Sequence, residues 1–239
     1  MEPSFADMLS SSAIDVNRNI QQQKSDGSDD IPAEKINRFY SINLSLQQQL
    51  LVTLLVDGCR SGKLTFSALR DYLDENSWIA QPMTETDFDG NIIQYTWQDL
   101  LYPALTEFFK QLSIIVHEAP DASPSFVLCL DSLTLKIEGM LSELLQRSGD
   151  PTITTHKKGD LREVYFEDLV DMAKERGLLT ENEAYFFRYV FTGLSRNIRN
   201  DIAHSYYHLP VYYSLANTVL VFVAALRLFR FKLTSEPAP

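Results

Sequence analysis

The sequence predicts an all-α fold: an antiparallel bundle of four or five helices, with a helical extension on its N-terminal side. Three observations carry this expectation. From Thr96 onward, apolar residues recur at three- and four-residue intervals over long stretches, the period of a helix that buries one face. Start and stop signals punctuate those stretches, among them Thr180-Glu181-Asn182-Glu183, Gly149-Asp150-Pro151 and Gly177. The connections between them are short, which makes consecutive helices antiparallel neighbours. At 239 residues and 45% apolar composition, the chain is long enough to bury a proper core.

The elements follow in chain order. Residues 1–35 are rich in Ser, Asp, Gln and Asn, and Gln21 to Asp30 contains no apolar side chain. Such a segment cannot offset its ordering entropy, so a disordered tail is expected, with one short helix over residues 5–14. Residues 36–95 form the helical extension. In it Leu46, Leu50, Leu51, Leu54 and Leu55 repeat at helical spacing from Ile42 until Gly58, and a second short helix covers residues 65–75. Gln81-Pro82-Met83 and Asp89-Gly90-Asn91 read as turns, and Ile92–Tyr95 as a short strand.

Residues 96–233 form the main helical domain. Its first helix is Trp97–Val116, stopped ahead of Pro120. The second covers residues 125–147, with an apolar stripe of Leu130, Leu133, Ile137, Met140, Leu141 and Leu144. A polar loop carries His156, Lys157, Lys158 and Gly159. A third helix over residues 161–176 closes at Gly177, and a capping box opens a fourth, Glu181–Phe191, which breaks near Gly193. A further helix is expected over residues 195–209, and Pro210 separates it from a last one over residues 211–231. Residues 234–239 are a second disordered tail.

Charge and composition narrow the functional classes. The net charge is −11, which opposes general attraction to a polyanion. The charge is segregated, however. Residues 151–239 hold 11 Lys+Arg against 10 Asp+Glu, a net of +1, while residues 1–150 hold 10 against 22, a net of −12. Anion binding therefore belongs to the C-terminal third. Cys59 and Cys129 are too few for a disulfide framework and lack zinc spacing, so both read as buried small apolar residues. The N-terminus has no basic and apolar secretory signal, which makes a cytoplasmic location the expectation. The apolar run over residues 215–226 is interrupted by Asn217 and Thr218 and closed by Arg227 and Arg230. It falls short of the ~20 residues that a membrane span needs and reads as a buried core helix.

The residues with most chemistry are Arg199-Asn200-Asp201-Ile202-Ala203-His204. Wound at 3.6 residues per turn, Ile198, Ile202, Tyr206 and Leu209 fall on one arc, and Arg196, Asn200 and His204 stack on the other side with Arg199 flanking. One face is core. The other offers two guanidinium groups, an amide and an imidazole to an anion. Phe186, Phe187 and Tyr189 lie at helical spacing and read as core rather than as stacking platforms. His117 and His156 are isolated, and no metal or other cofactor is expected.

Arg199-Asn200, three further residues and His204 resemble the Arg-polar-x3-His motif of the HEPN superfamily. Leu178-Leu179, Phe187-Arg188-Tyr189, Gly193-Leu194 and the six-residue motif are together similar to an RNxxxHG domain-of-unknown-function family within it. The likeness extends to the helix containing Glu138, the basic turn before Gly159 and Phe166-Glu167-Asp168-Leu169-Val170, and covers roughly residues 100–231. It implies a metal-independent endoribonuclease, a toxin or phage-defence effector, in which the 2′-hydroxyl of the RNA attacks the adjacent phosphate. His204 would move a proton near neutral pH, Arg199 would hold the phosphorane, and Asn200 would orient the imidazole or the phosphate. Arg196, Lys157 and Lys158 would add substrate contacts.

HEPN nucleases build one cleft from two copies, so the resemblance also implies a homodimer. The family pattern places glycine after the histidine, where this chain has Ser205. Glycine would let a backbone or a base approach closely, so the departure bears on activity more than on fold. His204-Ser205-Tyr206 also fits a variant motif in HEPN toxins silenced by nucleotidylation of the tyrosine, although helical placement puts Tyr206 beside Ile202 on the apolar face. The alternative is a catalytically inactive HEPN module that binds RNA, a nucleotide or a partner protein. In a third reading, the acidic region before residue 100 is a surface for a cognate regulatory protein.

Overall fold

A computed structural model describes residues 13–14, 20–21, 33–117, 123–155, 161–205 and 210–233, and it falls into two compact units, residues 1–47 and 48–239. In the first unit, β1 (Ala13–Ile14) pairs antiparallel with β2 (Ile20–Gln21), and α1 (Ala33–Arg60) begins. The strand at Ala13 stands where the sequence reading ends a short helix. Residues 5–12 and 234–239 lie outside the described residues.

The second unit holds the remaining helices, and the all-α expectation is met. Thr65 caps α2 (Phe66–Asn76) by accepting from the Ala68 N–H at 3.1 Å. Met83 belongs to a strand rather than a turn. β3 (Met83–Thr86) pairs antiparallel with β4 (Ile92–Tyr95), and Asp87 closes the hairpin by accepting from the N–H groups of Asp89 and Asn91. In α3 (Trp97–Val116), Thr96 and Asp99 form a capping box that the sequence reading passed over.

The central element is α4 (Val127–Arg147), which packs against α3, α5 (Phe166–Glu175), α7 (Ile198–Ala203) and α8 (Leu215–Phe229). All six residues of its expected stripe are buried. Gly139 lets α3 approach closely: a Cβ there would stand 3.1 Å from Cη2 of Trp97 and push the indole by a few tenths of an ångström. Phe108 of α3 meets Phe222 of α8 with ring centroids 4.7 Å apart, so aromatic packing continues through the core.

Several expected helix boundaries shift. The helix expected over residues 161–176 starts only at Phe166, because Leu161–Glu163 is β6, paired antiparallel with β5 (Ile153–Thr155). The ladder competes successfully for those residues' backbone groups. The last helix begins at Leu215, after a 3-10 turn over Pro210–Tyr212, with Ser214 as its cap.

Glu181–Phe191 forms α6 with the expected capping box, and Phe186, Phe187 and Tyr189 are buried. Cys129 is buried as expected, whereas Cys59 is only half-buried. Among the described residues no helix is long and apolar enough to cross a membrane.

Candidate functional site

The helix that carries the motif is much shorter than its periodicity suggests. α7 spans six residues, Ile198–Ala203. The end of α6 sets its start. The Arg196 N–H donates to the Tyr189 carbonyl at 3.0 Å and the Asn197 N–H to the Thr192 carbonyl at 3.1 Å, which folds the intervening residues into a turn. Asn197 closes that turn in the left-handed region, with φ +52°, a conformation asparagine tolerates better than most residues.

At the other end, the N–H groups of His204 and Ser205 donate to the carbonyls of Asn200 and Ile202 at 3.0 and 3.1 Å. Ser205 then leaves the helix with φ +52°. Residue 205 thus occupies the left-handed position just past a helix end, where glycine has no steric cost. This conformational requirement is a second reason, beside close approach of a backbone or base, for a glycine at this position.

The expected stack of three polar residues is corrected accordingly. Arg196 precedes the helix and does not lie one turn before Asn200 on it. Asn200 and His204 keep their i, i+4 relation, with His204 exposed at the helix end. Ile198 and Ile202 are buried as expected. Tyr206 and Leu209 lie outside the described residues, as do Lys157 and Lys158 of the basic loop.

Arg199 is ordered from three sides. Its Nε and Nη2 donate to Oε2 of Glu138 at 2.9 and 2.6 Å, and its Nη1 donates to Oδ1 of Asn200 at 3.0 Å. The guanidinium carbon lies 5.8 Å from the Phe166 ring centroid, within reach of a cation–π attraction. Arg199 and Glu138 are each about one-third exposed on their side chains, 33% and 29%. The pair sits at the surface of the α4–α7 contact and is open to solvent on one side.

The hydrogen bonds continue beneath the motif. Nδ2 of Asn200 donates to Oδ1 of Asn197 at 2.9 Å, and Nδ2 of Asn197 donates to Oδ1 of Asp201 at 3.2 Å. The Tyr212 hydroxyl donates to Oδ2 of Asp201 at 3.1 Å. Asp201 is buried, at 4% exposure. Burial raises its carboxyl above the usual range, against the lowering effect of Tyr212 and Asn197. A second carboxylate is held in similar fashion: burial raises Asp131 while a hydrogen bond from Tyr213 lowers it.

Sequence reasoning singled out Arg199, Asn200 and His204 but missed this support. Asn197 carries a legible signal, since asparagine favours turns and left-handed backbone. Nothing local to Tyr212 pairs it with Asp201. Among the described residues, no group of three or more His, Cys, Asp or Glu side chains is placed to hold a metal ion. No protein-family model, no curated protein and no solved structure matches the chain.

Proposed function

We propose that this chain is a metal-independent endoribonuclease of HEPN type, a toxin or phage-defence effector that acts as a homodimer. The observation that carries the reading is the arrangement on α7. Arg199 presents a guanidinium oriented by Glu138 and Asn200, and His204 stands exposed one turn beyond Asn200.

Cleavage requires that the 2′-oxygen bond to phosphorus as the bond to the 5′-oxygen breaks. One proton leaves the 2′-hydroxyl and another reaches the departing oxygen. An imidazole performs one of these transfers, and the same residue of a second copy performs the other. The Arg199 fork neutralises the non-bridging oxygens in the crowded phosphorane.

The test incubates the purified protein with single-stranded and structured RNA in the presence of a chelator and analyses the product ends. Cyclic phosphate ends are expected, with the rate falling about 100-fold or more in His204→Ala and Arg199→Ala. Intact RNA, or undiminished cleavage by His204→Ala, overturns the reading.

A second reading, a non-catalytic HEPN module that binds RNA, a nucleotide or a partner protein, is favoured by the same ion pair. Glu138 already occupies the Nε and Nη2 edge of Arg199, the edge that would clasp a phosphate bidentately. RNA binding that persists in Arg199→Ala and His204→Ala, without cleavage by the wild type, would select it.

A further inference from the structure

We infer that Asp201 is a positioning residue: through the amides of Asn197 and Asn200 it sets which way Arg199 is held at the candidate site. The four residues form a chain of hydrogen bonds in which every donor points toward Asp201. Nη1 of Arg199 donates to Oδ1 of Asn200 at 3.0 Å, Nδ2 of Asn200 to Oδ1 of Asn197 at 2.9 Å, and Nδ2 of Asn197 to Oδ1 of Asp201 at 3.2 Å. The Tyr212 hydroxyl closes the end by donating to Oδ2 of Asp201 at 3.1 Å. The effect on rate rests on the nuclease reading; the orientation of Arg199 does not.

The direction of the chain follows from its terminus. A carboxylate has acceptors only, whereas a primary amide carries an acceptor at one end and donors at the other. Asp201 is buried, and a buried carboxylate left without donors would be costly. Asn197 therefore turns its NH2 group to Asp201, which leaves its oxygen for the NH2 group of Asn200. Asn200 in turn presents its oxygen to Arg199. Reversed, the chain would set the NH2 group of Asn200 against the Nη1 N–H, donor against donor. The backbone keeps the two ends in reach, because Asn197 turns directly into α7 and the Asp201 N–H donates to the Asn197 carbonyl at 3.0 Å.

What the chain governs is the face of Arg199 left for an anion. Glu138 accepts from Nε and Nη2 through one oxygen, Oε2, so the guanidinium can pivot about that point. Asn200 supplies the second fixed point, at Nη1. A guanidinium carries five N–H groups, and with these three engaged one N–H on each terminal nitrogen is left for the non-bridging oxygens of a phosphate. Asn200 thus orients the arginine, a role different from the imidazole or phosphate contact that the resemblance implies.

Asp201→Asn tests the direction. An amide at position 201 meets Tyr212 with its oxygen only by turning its NH2 group toward Asn197, which reverses both amides above it. In nitrogen-edited NMR of the full chain at low temperature, the Nη1 proton signals of Arg199, assigned by their loss in Arg199→Lys, should shift and broaden. The Nε signal, held by Glu138, should persist. On RNA, kcat should fall on the order of 10- to 100-fold with KM little changed. Adding Asn197→Asp should restore both readouts, since a carboxylate at position 197 accepts from the amides on either side and returns the oxygen of Asn200 to Arg199. Aspartate also tolerates the left-handed backbone there, and a merely structural role for Asp201 predicts no such rescue. If Asp201→Asn does not fold, Asn197→Gly cuts the same chain at a position that suits glycine and should release Nη1 likewise. Nη1 signals that match the wild type in either folded variant, or a loss that the double variant does not repair, overturn the inference. A wild type that cleaves no RNA removes the nuclease reading instead, and the Nη1 signals still decide the positioning.

Discussion

Two residues with φ +52°, Asn197 and Ser205, bracket the motif helix, and they cost different amounts. Asparagine adopts left-handed backbone with little penalty, because its short amide finds local partners, here Asn200 and Asp201. Serine has no such compensation in the described hydrogen bonds. Ser205→Gly should therefore raise stability by about 1 kcal/mol, measured by urea unfolding. No gain, or a loss, would mean that the Ser205 hydroxyl or its Cβ contributes to the turn. The same substitution places glycine where the pattern that the sequence resembles has it. A backbone account predicts that it changes stability and leaves the hydrogen bonds of Arg199 and Asn200 in place.

Helix ends account for much of the difference between pattern and element. The capping boxes at Thr96 and Thr180 are local, three residues across. The C-terminal end of α8 depends instead on residues 150 positions away. Ser77 Oγ donates to the Phe229 carbonyl at 2.5 Å, Trp78 Nε1 to the Leu228 carbonyl at 2.7 Å and the Trp78 N–H to the Phe231 carbonyl at 2.9 Å. Those carbonyls have no intrahelical donor, and the buried 3-10 turn Trp78–Ala80 supplies them. Ser77→Ala would leave a buried carbonyl with one donor fewer and should lower stability by about 1–2 kcal/mol. An unchanged denaturation midpoint would mean that water replaces the hydroxyl. Hydrogen exchange at the end of α8 should quicken in the same variant, since fraying begins where caps are lost.

At the scale of the molecule, one buried carboxylate joins α6 to α8 and sets a pH dependence. Glu183 accepts from Thr180, from Arg227 at 2.9 Å and from both terminal nitrogens of Arg230, while its side chain is only 7% exposed. Burial opposes its ionisation, but Arg230 and Thr180 outweigh burial and hold the carboxyl at about 2, below the ordinary 4.5. A depressed carboxyl stabilises the fold above its unfolded value, and that contribution is lost as pH falls from about 5 toward 2. On the order of 2 kcal/mol should disappear over this window in urea titrations, allowing for solvent screening at the two partly exposed arginines. Glu183→Gln should start less stable at pH 7 and show a flatter acid limb. An acid limb as steep as that of the wild type would assign the effect to other carboxylates. The amino-acid pattern by itself determined the helical class, the buried stripe of α4 and the capping box of α6, and it singled out Arg199, Asn200 and His204 as candidates, because apolar period, local caps and side-chain chemistry are written within a few residues of one another. Only the tertiary structure decided that the motif helix stops after six residues and that Glu138 pairs with Arg199. It alone decided that Asp201 is buried against Tyr212, and that Leu46, Leu50 and Leu54 of α1 are exposed while Leu44 is buried. Each of these depends on which distant backbone or side chain competes for the same hydrogen bond or the same apolar surface, and that competition is settled by packing rather than by sequence neighbours.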